Sequence, residues 1–188
     1  MQELKGSFVA LVTPMKSNGE IDFPALKELV EWHIESGTHG LVSVGTTGES
    51  ATLNFNDHVK VLEKTISYIN NEIVAIAGTG ANSTDEAIEL NKAASSIGYE
   101  FALSVTPYYN KPNQPGLEAH YKKIADSSEI KNILYNVPSR TACDLEPETV
   151  NKLIHHENIV GIKEAVDDPK RYKALIKMAK NSSEPFYV

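Results

Sequence analysis

A parallel α/β fold is predicted for this chain by three observations. Six short apolar, β-branched runs recur along it: Phe8 to Val12, Leu41 to Val44, Ile73 to Ala77, Phe101 to Val105, Asn132 to Val137 and Ile159 to Ile162. Each run is nearly continuous rather than alternating, as strands buried on both faces are. Helical patterns separate the runs at a spacing of roughly 30 residues, the length of a strand–helix–strand unit.

The helices follow in order. Asp22 is a candidate N-cap with Pro24 in the first turn, Leu26, Leu29, Val30 and Trp32 or His33 form an apolar stripe, and Gly37 follows the stop. A second helix carries Val59, Leu62, Ile66 and Ile69 at helical spacing. Ser83-Thr84-Asp85-Glu86 reads as a capping box opening the third, which Gly98 ends. A fourth runs from about Leu117 to Ala125, and a fifth starts near Glu146-Pro147. A sixth has Asp168 before Pro169, then Tyr172, Leu175, Ile176 and Ala179 on one face.

Two architectures have this alternation, a doubly wound sheet and a (β/α)8 barrel. No G-x-G-x-x-G follows the first strand, which weakens the dinucleotide-binding form of the first. Chemistry-bearing residues follow several strands rather than one switch point, which favours the barrel. Pro185-Phe186-Tyr187-Val188 reads as the opening of a seventh strand. Barrels of this type commonly take about 250 residues. The expectation is therefore a single domain over residues 1–188, an incomplete barrel of six βα units plus the start of strand seven.

Composition narrows the function. The 188 residues, 41% of them hydrophobic, suffice for one substantial core. Eighteen basic against 25 acidic residues give a net charge of −7 with no Lys/Arg block, which argues against nucleic acid and anionic membranes as partners. The single cysteine, Cys143, rules out an internal disulfide and suits a reducing compartment. The start, Met1 to Lys5, carries no signal-peptide pattern, and no apolar run is long enough to span a bilayer, so a cytoplasmic location is expected.

The chemistry centres on Lys163, at the carboxyl end of the sixth run. A lysine there is expected to point its amine into an apolar, enclosed space, where burial favours the neutral form that attacks carbonyls. It can equally snorkel to water or pair with Glu164. Strand two ends in Gly45-Thr46-Thr47-Gly48-Glu49-Ser50, a plain turn or a cradle of hydroxyls and N–H groups for a carboxylate. Strand four ends in Tyr108-Tyr109, which can pack on helices or bring phenols to a site or a subunit contact. After strand five, Tyr135 can relay protons or fill the core, and Arg140 can hold a carboxylate or form a surface salt bridge. The histidines are scattered and no Cys/His cluster exists, so no metal site is expected. Gly78-Thr79-Gly80 lacks the lysine and spacing of a P-loop.

The segments Gly45-Thr-Thr-Gly-Glu-Ser50, Ala77-Gly-Thr-Gly-Ala-Asn82, Val105-Thr-Pro-Tyr-Tyr-Asn110, Tyr135-Asn-Val-Pro-Ser-Arg-Thr141 and Gly161-Ile-Lys-Glu164 together resemble the dihydrodipicolinate synthase family, from about Gly6 to the last residue. The resemblance implies a (β/α)8 barrel of the class I pyruvate-aldolase type with a helical C-terminal region. It implies that Lys163 forms a Schiff base with pyruvate, that Tyr135 shuttles protons to and from the adduct, and that Thr47 links it in a hydroxyl relay. Tyr109 would complete that relay across a dimer interface, in a homo-oligomer. Thr46 with Thr47 would take the pyruvate carboxylate, and Arg140 the carboxylate of L-aspartate 4-semialdehyde. The product would be 4-hydroxy-tetrahydrodipicolinate, on the diaminopimelate route to lysine, with no cofactor.

N-acetylneuraminate lyases share the lysine and tyrosine but typically have Ser-Thr at the strand-two turn and no arginine at the Arg140 position, so Thr46-Thr47 and Arg140 favour the synthases. Ser50, Ala51, His58, Asn82, Glu86 and Tyr108 match a lysine-effector pocket of some members, whereas Phe55 replaces a polar residue found in lysine-sensitive ones. The resemblance also implies that strands seven and eight and the helical region are missing by C-terminal truncation. The isolated chain is then expected to turn over weakly or not at all, and an inactive remnant is the alternative.

Overall fold

The computed structural model describes residues 3–188; Met1 and Gln2, which open the start without a signal-peptide pattern, lie outside the described residues. Contacts divide the chain into two compact units, Met1–Gly78 with Ala93–Phe101, and Thr79–Lys92 with Ala102–Val188.

In the first unit, β1 (Phe8–Ala10), β2 (Gly40–Ser43) and β3 (Val74–Gly78) run parallel in chain order, with Val9 opposite Leu41 and Leu41 opposite Ala75. All four β2 residues are buried, so no polar face interrupts its apolar run. Helix α1 (Phe23–Glu35) starts where Asp22 accepts a hydrogen bond from the Ala25 N–H, the expected cap. It buries Leu26, Val30 and His33 and leaves Trp32 58% exposed, so the His33 alternative for the stripe is the one realised. Helix α2 (Phe55–Ile69) is capped by the Asn54 side chain and buries Val61, Leu62 and Ile69. Each fully buried leucine or isoleucine contributes on the order of 1.5–3 kcal/mol.

The second unit holds β4 (Phe101–Val105) from Ala102 on, β5 (Lys131–Asn136) and β6 (Ile159–Glu164), neighbours in that order. Helix α3 (Thr84–Ile97), divided between the units after Lys92, opens with Ser83 Oγ accepting from the Glu86 N–H at 3.4 Å, one half of the expected capping box, and stops at Gly98, whose φ of +107° few other residues adopt. Helix α4 (Gln114–Ala125) starts three residues earlier than its apolar pattern does, because Asn113 caps it and Pro115 sits in its first turn. A one-turn helix, α5 (Pro138–Thr141), follows β5, and α6 (Pro147–Leu153) and α7 (Pro169–Asn181) come after it. Leu117, Tyr121, Leu134, Leu153, Ile162 and Leu175 form the core here. Of the stripe expected on α7 only Leu175 is buried, and Ile176 is 44% exposed.

Beyond α7, Tyr187 pairs with β6: its carbonyl accepts from the Ile162 N–H and its N–H donates to the Val160 carbonyl. The expected seventh strand is present as this single bridge. No helix among the described residues is long and apolar enough to cross a membrane.

Candidate active site

Strand β6 extends two residues past its apolar run, so Lys163 lies within the strand rather than after it. Its cross-strand partner is Tyr135, and Asn136 faces Glu164 in the next pair. Side chains alternate along a strand, so Lys163 and Tyr135 share one face while Glu164 and Asn136 share the other. Lys163 Nζ lies over the Tyr135 ring, 4.4 Å from its centroid.

The surroundings correct one expectation. Lys163 is exposed rather than enclosed, with its amine over the Tyr135 ring. Burial nevertheless lowers the amine pKa from its ordinary value. The two facts pull apart, since exposure hydrates the amine and hydration favours the ammonium ion. The exposure sets the scale: the shift is downward, and solvent limits its size. The pairing with Glu164 is not formed, because that carboxylate is turned to Asn136, Val166 and Arg171. Tyr135 is buried, at 7% exposure.

Arg140 stands exposed in the last turn of α5, a turn begun by Pro138 and stopped by Ala142 in the left-handed conformation. Thr141 Oγ1 ties this turn to the end of β4, accepting from Thr106 Oγ1 at 3.2 Å. Just beyond Thr106, Tyr109 has a φ of +73° and is 89% exposed. A positive φ is uncommon for a residue with a side chain, and here it accompanies a phenol standing in solvent rather than beside Tyr135. Tyr108, partly buried, has its phenol pKa raised by burial and by the Glu86 charge, with a backbone hydrogen bond at Asn82 opposing the rise. The structure thus brings Asn82, Glu86 and Tyr108 together.

In the first unit, Val44 follows β2 directly with a φ of +51° while only 1% exposed. A buried β-branched residue in that region is strained by on the order of 1–3 kcal/mol. The strain directs the chain into a 3-10 turn, Thr46–Gly48, with both Thr46 and Thr47 exposed. Thr13 Oγ1 donates to the Gly48 carbonyl at 2.7 Å and fixes the far side of that turn. A second turn, Ser50–Thr52, carries Ser50 half-buried and Ala51 exposed. His58 is buried, with Nε2 at 2.7 Å from the Gly78 carbonyl, and burial lowers its pKa.

Sequence reasoning missed α5, the Glu164–Arg171 pair and the strain at Val44. Pro138 was the available signal for α5, since proline favours the first helical position. The chain matches the model of the Dihydrodipicolinate synthetase family over residues 3–187. The chain belongs to that family. The six βα units are therefore those of its (β/α)8 barrel type, as the sequence predicts. A curated member from Thermodesulfovibrio yellowstonii, named 4-hydroxy-tetrahydrodipicolinate synthase, is 55% identical over 174 residues, which are 93% of this chain and 60% of that protein. The crystal structure of the chloride-inhibited dihydrodipicolinate synthase of Acinetobacter baumannii complexed with pyruvate matches with a TM-score of 0.94 at 52% identity, over 98% of this chain and 64% of that one. The Cyanidioschyzon merolae enzyme with lysine bound matches with a TM-score of 0.88 at 37% identity, over 92% of this chain and 59% of that one. The chain thus spans about 60% of the length of the curated family members it matches.

Proposed function

We propose that this family member condenses pyruvate with L-aspartate 4-semialdehyde through a Schiff base on Lys163. The observation that carries the reading is the cross-strand pair, a lysine amine of lowered pKa held 4.4 Å above the ring of Tyr135. Neutral Lys163 Nζ attacks the pyruvate ketone, and loss of water gives the imine. The protonated imine draws electrons from the adjacent methyl group, which loses a proton to give an enamine. The enamine carbon bonds to the aldehyde carbon of the second substrate. The amine of that substrate then displaces Lys163 by transimination, which closes the ring and returns the lysine. The imine is itself the electron sink, so the proposal includes no metal or cofactor.

The remaining roles belong to the same proposal. Tyr135 carries protons to and from the adduct, relayed by the Thr47 hydroxyl and by Tyr109 of a second copy. Thr46 and Thr47 receive the pyruvate carboxylate. Arg140, exposed and carrying a planar guanidinium fork, receives the carboxylate of the semialdehyde. Ser50, Ala51, His58, Asn82, Glu86 and Tyr108 are proposed to contribute to an effector site for L-lysine, a reading that calorimetric titration with the amino acid tests directly.

Incubation with pyruvate, borohydride reduction and peptide mass spectrometry test the central step. One reduced pyruvate adduct at Lys163 is expected, and none in Lys163→Ala. A folded chain that takes up no pyruvate would sink the proposal. The acceptor is tested separately by Arg140→Ala, which should still form the adduct while using aspartate semialdehyde poorly. Unchanged use of that aldehyde would point to a sugar-acid aldolase instead.

A further inference from the structure

The carboxylate beside the reactive lysine is spent on a network of its own. Glu164 has a side chain only 2% exposed. Asn136 Nδ2 lies 3.1 Å from each of its oxygens, and the Val166 N–H donates to Oε1 at 2.9 Å. Arg171 Nε, from α7, lies 2.9 Å from Oε2, an ion-pair contact whose N–H is poorly aligned for a hydrogen bond. The same guanidinium grips Asp144 with two bonds of 2.8 and 3.1 Å and donates to the Leu145 carbonyl. Asn136 closes the circuit, donating to Asp144 at 2.8 Å and accepting from the Leu145 N–H.

The network grips the chain one residue beyond each member of the reactive pair. Asn136 follows Tyr135 and Glu164 follows Lys163, and the Ala165 N–H also donates to the Asn136 carbonyl. A buried carboxylate needs a paired cation and satisfied lone pairs, and Arg171 with Asn136 and the Val166 N–H provides both. Loosening it leaves the ends of β5 and β6 free to slide, and with them the ring and the amine.

Resting on the Schiff-base reading, we propose that Glu164 is a positioning residue for Lys163. Locked to Arg171 on the opposite face of β6, it fixes the amine over the Tyr135 ring and keeps its own negative charge away from that amine. An unlocked carboxylate next to Lys163 would favour the ammonium ion and slow imine formation. The charged and titratable groups packed about the pair are Tyr135 from β5, Arg171 from α7 and Asp144 from the segment before α6.

The test compares Glu164→Gln, Arg171→Met and the double variant, each checked for folding by circular dichroism. In Glu164→Gln, adduct trapping at saturating pyruvate should slow about tenfold, with the half-saturating pyruvate concentration unchanged. In Arg171→Met, the pH midpoint of Lys163 reductive methylation, read by peptide mass spectrometry, should move upward, and the double variant should return it to the wild-type value. Folded single variants with wild-type trapping rate and midpoint overturn the proposal. If Arg171→Met does not fold, Glu164→Gln decides alone. If the wild-type chain traps no pyruvate, the Schiff-base reading falls, and the methylation midpoints still decide the role of Glu164.

Discussion

Lys163 Nζ stands 4.4 Å from the centre of the Tyr135 ring, and the two residues are register partners across β5 and β6. Two effects on the amine oppose each other there. Burial favours the neutral base, while the electron-rich face of the ring favours the cation by about 0.5–1 kcal/mol at an exposed site. Burial alone moves the pKa down, and the ring face works against that shift.

Tyr135→Phe separates the ring from its hydroxyl. The stack over the amine remains, so pyruvate trapping should keep its pH midpoint. Proton exchange at the pyruvate methyl, followed by deuterium uptake, should fall by about 10²-fold or more, the scale of general acid–base assistance. Wild-type exchange in the variant would show that the hydroxyl carries no proton.

The lowered pKa of Lys163 gives a signed pH dependence. Its folded pKa lies below that of the unfolded chain, so between the two values the unfolded chain binds more protons and stability rises with pH. The destabilising contribution is complete below the folded pKa and vanishes as pH rises through the unfolded value near 10.5. Removing the amine in Lys163→Met should flatten that alkaline rise in urea midpoints. Because Lys163 is exposed, the effect is small; a steep alkaline loss specific to wild type would contradict the sign.

His120 provides the acid-side counterpart. It is 5% exposed, with Nδ1 at 2.9 Å from Thr84 Oγ1 and Nε2 without a partner. Burial pushes its pKa from 6.5 down to about 4. The folded chain therefore holds a neutral imidazole that the unfolded chain protonates from about pH 6.5 downward. Stability should drop by on the order of 3 kcal/mol between pH 6.5 and 4 from this group. His58 shifts in the same direction, so the measurement is the difference between wild type and His120→Gln. Equal acid sensitivity in the two would refute the assignment.

The strands were legible because burial on both faces leaves a continuous apolar run, and each of the six falls within two residues of its expected bounds at the start. Lys163 was legible through its place at the end of one run. Its exposure was not, because what covers a side chain is set by elements distant in sequence. Periodicity likewise put Ile176 on the apolar face of α7, but only the packing shows that Leu175 alone is buried there. The Arg171–Glu164 pair was hidden for a related reason: an arginine on α7 carries no local mark of its partner on β6. The motif Gly161-Ile-Lys-Glu164 drew attention to the lysine, while the glutamate beside it organises the ends of both strands.

Gly78 and Val44 make the last prediction. A Cβ built on Gly78 would run into the Val44 carbonyl oxygen, a backbone atom with no rotamer to escape into. Val44 is already in the left-handed region, at a φ of +51°, and it sets the turn that presents Thr46 and Thr47. Gly78→Ala must therefore push either β3 or that turn. Overpacking of this kind costs typically about 1–3 kcal/mol. Urea unfolding should show a loss on that scale, and, on the proposed role of Thr46 and Thr47, the pyruvate concentration that half-saturates trapping should rise. Ala77→Gly, one residue earlier on β3, serves as the control, because it removes a methyl group without creating the clash. It should lower stability without changing that concentration. If Gly78→Ala also left the concentration unchanged while lowering stability, the turn would be structural and the proposed role of Thr46 and Thr47 in pyruvate binding would fall.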